Sequence, residues 1–129
     1  MFQNLDIFRM SHAMAVHAGA RQSVIAQNMA NADTPGYAAR DLPPFKDIFE
    51  TDSAQFAPRT TRARHLSGHI GAVSMDVTER RDAVTDPNGN TVSLESEMLH
   101  AVDVKRQHDR ALAIYKHALG VLRSAIGGA

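Results

Sequence analysis

The sequence predicts a mainly α fold in which two long terminal helices pair as an antiparallel coiled-coil hairpin around an irregular middle segment. Three observations predict it. Apolar residues recur at helical spacing from about Asn4 to Ala32, a heptad series runs from Leu94 to Ile126, and four of the five prolines lie between these stretches. The chain therefore divides into residues 1–37, a first helix and its terminating turn; 38–92, a connector; and 93–129, a second long helix. The first and third together make one structural domain.

In the first helix, Ile7, Met10, Met14, Ala18, Ile25 and Met29 share a face at 100° per residue, and Arg21 interrupts that stripe. Alanines at 13, 15, 18, 20, 26 and 30 favour helix and make a thin rod that another helix can approach closely. The helix is then stopped within the words NMANADTPGY, residues 28–37. Asn31, Asp33 and Thr34 bond nearby backbone, Pro35 disfavours helix at the residue before it, and Gly36 tolerates positive φ. Thr34-Pro35-Gly36-Tyr37 has proline and glycine where a type II turn wants them, so Tyr37 is delivered to a defined place.

The connector holds Pro43, Pro44, Pro58 and Pro87 and no lasting helical stripe, which predicts that it lies outside the core. Within it, DLPPFKDIF predicts a short amphipathic turn, and HIGAVSMDVTE has the β-branched content of a strand pair. Asp86-Pro87-Asn88-Gly89-Asn90 concentrates turn formers ahead of the second helix, where Ser93 is the predicted N-cap and Glu95 and Glu97 suit the first turn.

The second helix carries Leu94, Met98, Ala101, Lys105, His108, Leu112, Tyr115, Leu119, Leu122 and Ile126, spaced alternately by four and three residues. Gly127-Gly128 ends it. Lys105 and His108 depart from the apolar series and read as a snorkelling stem and a half-exposed imidazole, ahead of a register-setting role in the seam. One such seam does not offset the backbone entropy of ordering so long a helix, and pairing two helices still leaves faces uncovered. The expectation is that neighbouring chains complete the burial and that the isolated monomer frays at its ends.

The search for chemistry is negative. Lysine plus arginine equals aspartate plus glutamate at 14 each, so net charge gives no argument for nucleic acid, and the basic patch from Arg59 to His69 has no aromatic residue for base stacking. There is no cysteine, hence no disulfide or thiol chemistry. His65 and His69 have a glycine between them and no carboxylate at zincin spacing. Asp86, Asn88, Asn90 and Glu97 mimic calcium-loop positions, but Thr91 stands where the loop needs glycine. Ser11 and His12 lie about 100° apart on a helix without a carboxylate to orient the imidazole. No membrane span is present, and MFQNLDIFRM lacks the basic start and apolar stretch of a signal peptide. The expectation is a protein that is not an enzyme, with no metal, cofactor, nucleic acid or small-molecule substrate.

A long first helix, the words IAQNMANADTPGYAARD, a variable middle and a C-terminal heptad helix resemble the bacterial flagellar axial proteins. AARDLPPF, TTRARHL, DPNGNTVSLESEM and the ending YKHALGVLRSAIGG resemble the basal-body rod subunits at the membrane-proximal end, and Tyr115-Lys116-His117-Ala118 replaces the Tyr-x-Ala-Asn word of other axial proteins. Met29 and Ala38 depart from the usual Ile and Lys or Arg. The resemblance implies a structural subunit of the periplasmic rod that transmits torque, exported unfolded through the flagellar type III apparatus without a cleaved signal. Its implied partners are copies of itself, other flagellar rod proteins and a basal-body membrane-ring or adaptor protein. Asn28, Asn31, Asp33, Thr34, Pro35, Gly36 and Tyr37 would stop the helix at one height in every subunit. Ile7, Met10, Met14, Ala18, Ile25, Met29, Leu94, Met98, Leu112, Tyr115, Leu119, Leu122 and Ile126 would carry subunit packing. The residues by themselves also fit a cytoplasmic helical-hairpin adaptor or dimeric regulator that captures one partner through the same heptads.

Overall fold

A computed structural model describes residues 2–54, 75–80 and 83–127. The long helices are α1, Phe2–Ala30, and α3, Leu94–Gly127. At 1.5 Å per residue they extend roughly 44 and 51 Å. They run antiparallel: Asn28 bonds Glu97, the His17 ring faces Gln107, and Phe8 meets Tyr115 edge-on with ring centroids 5.2 Å apart. Ser93 caps α3, its Oγ accepting the Ser96 N–H at 3.4 Å.

The middle segment supplies β1, Arg40–Asp41; α2, Phe45–Ala54; and β2, Thr78–Glu79. The two strands pair antiparallel, Arg40 opposite Glu79 and Asp41 opposite Thr78. Thus the strand signal in HIGAVSMDVTE is met at Thr78 and Glu79, with a partner from the other end of the connector; His69 to Ser74 lie outside the described residues. DLPPFKDIF opens a ten-residue helix rather than a single turn. Phe45 of α2 packs on the buried His17 ring at 5.7 Å and on Phe49 at 5.5 Å, and Pro43 O pairs with His17 Nε2 at 2.9 Å. This sets the imidazole as an Nε2–H donor and fastens the start of α2 to the middle of α1.

The core is narrow. Ala18, Ile25 and Val104 form its centre, with Met29 and Ala101 against it. Met10 and Met14 are half-buried and Ile7 is exposed. The connector differs from its expected place outside the core at both of its ends, because Ala39, Leu42 and Val92 are buried.

The larger difference lies in α3. Its fully buried residues are Glu97, Val104 and Ala111, one heptad apart and one position before Met98, Lys105 and Leu112. Of the expected seam, Ala101 packs on the core and Tyr115 reaches Phe8, while His108, Leu119 and Leu122 are half-buried. Leu94, Met98, Leu112 and Ile126 are 46%, 56%, 40% and 79% exposed. Lys105 extends into solvent and pairs with Asp109 at 2.8 Å. Along the middle of the pair the reason is the small cross-section of α1: Ser11 and Ala18 are nearly inaccessible, and close helices accept Ala111 and Val104 where Leu112 and Lys105 would hold them apart. At the closed end Glu97 is drawn inward by Asn28 and Arg80.

Candidate functional site: two interlocked turns at the closed end of the hairpin

At the end of α1 the chain stops with local bonds. Asn31 N–H bonds the Gln27 and Asn28 carbonyls, Asn31 Nδ2 returns to Gln27 O at 2.8 Å, and Thr34 Oγ1 reaches Asn31 Oδ1 at 3.3 Å. Tyr37 N–H closes on Thr34 O at 3.3 Å, and Gly36 sits at φ 72°. This is the geometry of a type II turn, whose third residue needs positive φ. Asp33, Thr34 and Pro35 are exposed on its rim.

The second turn, residues 86–90, packs directly onto the first. Gly89, at φ 81°, comes so near that a Cβ there would lie 3.4 Å from Gly36 Cα, and Gly36 N–H donates to Asn88 O at 3.1 Å. Asn90 is fully buried beneath both. Its Nδ2 donates to the carbonyls of Asn31, Ala32 and Thr34 at 2.9, 2.8 and 2.8 Å, and its Oδ1 accepts the Val92 N–H at 2.7 Å. One amide nitrogen with two hydrogens thus serves three carbonyls left behind where the helix stops. Tyr37 O and Thr91 Oγ1 tie the turns again, through Thr91 N–H at 3.1 Å and Ala39 N–H at 2.7 Å.

Beneath the turns lies a buried polar chain. Asn28, inaccessible to solvent, donates to Arg40 O at 2.7 Å and to Glu97 Oε2 at 3.1 Å; its own oxygen accepts Arg40 N–H and Tyr37 O–H at 3.0 and 3.3 Å. Glu97 also binds Arg80 at 2.9 Å, and Arg80 stands 3.6 Å from Asp41, which Arg21 grips with two bonds of 2.8 and 2.7 Å. Burial pushes the Asp41 carboxyl up, but hydrogen bonds and charge from Arg21, the Leu42 N–H and the charge of Arg80 together hold it below the usual carboxylate value. The hydrogen bond to Asp41 raises Arg21 in turn, against desolvation. Arg80 Nη2 alone is buried without a hydrogen-bond partner among the described residues. Each charged group is committed to another, so the cluster fastens α1, β1, β2 and α3 together.

The structure brings Asn28, Asn31, Thr34, Gly36 and Tyr37 of the predicted motif into this site, with Asp33 and Pro35 on its rim; of the apolar residues named for packing, Leu94 borders it and most of the others lie along the helices. Sequence reasoning placed Gly89 and Asn90 in a turn and Glu97 in the first turn of α3 but missed what they bind, and it missed Arg80 and the Arg21–Asp41 pair. The available signals were a charge, Arg21, inside an apolar stripe and a carboxylate, Glu97, next to Met98 within the apolar series. Among the described residues, no group of three or more histidines and carboxylates is placed to hold a metal ion. His65, His69 and the Arg59–His69 patch lie outside the described residues.

Comparison with known proteins converges on this region. The family model for flagella basal body rod protein matches residues 17–37, the second half of α1 and the turn through Tyr37. Similar relatives are flagellar basal body rod proteins FlgB. That of Agrobacterium fabrum is 30% identical over 119 residues, covering 88% of this chain and 87% of the relative. That of Proteus mirabilis is 36% identical over 98 residues, 69% and 72% of the two chains. That of Salmonella typhimurium is 25% identical over 84% and 83%. With its two-helix hairpin, its signature on the interlocked turn and a match running through most of both chains, this protein belongs to the FlgB family of flagellar basal body rod proteins.

Proposed function

We propose that the hairpin is a building block with one face for itself and another for its neighbours. The chain is a structural, non-enzymatic subunit of the flagellar basal body rod and assembles with other rod proteins. The observation that supports this division is the exposure of Leu94, Met98, Leu112 and Ile126 on a helix whose inner face is already filled by Glu97, Val104 and Ala111. Leu99, Val102 and Val121 widen the open apolar surface, at 69%, 48% and 47% exposure. An apolar groove of about 550 Å³ runs beside it, with Ala18, Gly19, Ala101, Val102 and Val104 in its walls. Apolar surface on this scale is stabilised by covering it.

In this reading residues 1–37 and 93–129 form one domain, and the connector, 38–92, is clasped to it at Ala39–Leu42 and Val92. Asn28, Asn31, Asp33, Thr34, Pro35, Gly36 and Tyr37 fix where the hairpin closes, so that every subunit presents its faces at one height. Ile7, Met10, Met14, Tyr115, Leu119 and Leu122 extend packing toward the open end, while Ala18, Ile25 and Met29 serve the hairpin itself. Copies of this chain and a membrane-ring or adaptor protein of the basal body are the proposed neighbours. Export unfolded through the flagellar type III apparatus without a cleaved signal and a periplasmic position in the rod complete the proposal.

The test is a pair of substitutions on the open face, Met98→Glu with Leu112→Glu. Normal helical content with loss of the subunit from purified basal bodies and loss of swimming is the expected result. Wild-type incorporation of the double variant would refute the assignment of that face.

A further inference from the structure

We propose that Asn88–Gly89 is a spontaneous deamidation site that the docked turns hold in check, and that its isoaspartyl product prevents the turns from docking again. Of the asparagines in the chain, Asn88 alone is followed by glycine; Asn4, Asn28, Asn31 and Asn90 precede Leu, Met, Ala and Thr. A glycine nitrogen is the least hindered backbone nucleophile, and asparagine is among the chemically labile side chains. Asn88 is also exposed to the water that the reaction needs.

The reaction requires the Gly89 backbone nitrogen to lose its proton to solvent base and attack Asn88 Cγ. The new N–Cγ bond forms, the Cγ–Nδ2 bond breaks, and Nδ2 leaves as ammonia after taking up a proton, which gives a five-membered succinimide. Water then opens the ring. Attack at Cγ returns an ordinary aspartate; attack at the backbone carbonyl carbon leaves an isoaspartate, in which the main chain runs through Cβ and Cγ. The net change is amide plus water to carboxylic acid plus ammonia, and no other reactant is consumed.

In the folded chain both reacting groups are occupied. Gly89 N–H donates to Asp86 O at 2.8 Å, Asn88 Oδ1 accepts the Asn90 N–H at 3.0 Å, and Asn88 O accepts the Gly36 N–H at 3.1 Å. The amide proton is held, and the rotation of the side chain toward Gly89 is restrained by its bond to Asn90 N–H. Reaction therefore belongs to the state in which the turns are apart.

The two products then differ in kind. Aspartate at position 88 keeps the chain path and an oxygen for Asn90 N–H. Isoaspartate adds a carbon to a loop closed by Asp86 N–H on Asn90 O and Gly89 N–H on Asp86 O, both at 2.8 Å. It also turns the carbonyl that received Gly36 N–H into a branch carboxylate. The added carbon lengthens the chain where it docks on Gly36, and Asn90 is drawn away from the three carbonyls it serves. The modification would thus record, irreversibly, the time a chain spends with its hairpin unlatched.

Incubating the full-length protein at mildly alkaline pH, folded and in urea, and mapping the peptide that contains residue 88 by mass spectrometry with isoaspartyl-specific methylation tests the proposal. The folded sample should convert at least roughly tenfold more slowly. After removal of urea, the isoaspartyl fraction should fail to regain native helix protection in hydrogen exchange, while the Asn88→Asp variant, which carries the same charge on an unaltered backbone, should regain it. Equal conversion rates in the two samples, or refolding of the isoaspartyl chain to the same protection as Asn88→Asp, would overturn it.

Discussion

The closed end of the hairpin and its open sides solve opposite problems. Around the turns, polar groups are buried and paired within the chain: Asn28, Asn90 and Glu97 are inaccessible, and their partners come from four separate segments. Along the outer side of α3, large apolar groups stand in water, from Leu94 to Ile126. Buried hydrogen bonds contribute modestly to net stability but are expensive to leave unmade, so they specify one geometry. Exposed apolar surface specifies nothing by itself and gains when it is covered. The contrast teaches that the closed end is fixed by polar contacts within the chain, while the open apolar area is left uncovered by the chain itself, as the proposed packing role requires.

That contrast can be broken first at its buried charge. Glu97→Ala strips Arg80 of its closest carboxylate in a buried setting and should cost about 3 kcal/mol in urea unfolding. Replacing both partners, Arg80→Met with Glu97→Met, should recover most of that loss, because the penalty lies in the unpaired charge; a double variant as unstable as the single would show that the pair itself supplies the stability. Asn90→Ala comes next. It leaves the carbonyls of Asn31, Ala32 and Thr34 without their donor and should cost about 2 kcal/mol, read as faster hydrogen exchange at the end of α1.

Gly36→Val places a β-branched residue at φ 72° and should cost about 1 to 2 kcal/mol. Expression should persist while swimming is impaired, and undiminished motility would argue that the turn has no assembly role. Smallest is the pH effect of the Arg21–Asp41 pair. Because the folded carboxyl titrates below its unfolded value, its stabilisation is complete above the ordinary aspartate range near pH 4 and is lost as pH falls through the lowered value. Asp41→Asn should remove about 1 kcal/mol at neutral pH and flatten the acid limb of the stability curve. An unchanged acid limb would mean that other carboxylates govern it.

Much of the fold was legible because it is local. Periodicity located both long helices, and Pro35 with Gly36 located the stop to within a residue or two. The pairing face of α3 was harder to read, for a physical reason. A heptad reading selects the bulky apolar residue in each turn, Met98 or Leu112, whereas a helix faced with Ser11 and Ala18 selects the smaller Ala111 beside Leu112, and Asn28 and Arg80 select Glu97 beside Met98. The polar site was still less visible, since Asn28 meets Glu97, and Asn90 meets Thr34, across more than fifty intervening residues. Spacing along a chain carries no trace of such partners. The oddities of Arg21 in an apolar stripe and of Glu97 beside Met98 pointed to it, and Asp41 is what the first was for.

The two-faced character of α3 is the central claim, and the absence of native cysteine makes it directly measurable. Single cysteines at Met98, Leu112, Val104 and Ala111, each probed with a short bifunctional cross-linker in purified basal bodies, would report which side meets a neighbouring subunit. Met98→Cys and Leu112→Cys should give inter-subunit products, and Val104→Cys and Ala111→Cys should give none. Cross-links from the Val104 and Ala111 positions with none from Met98 and Leu112 would contradict the account.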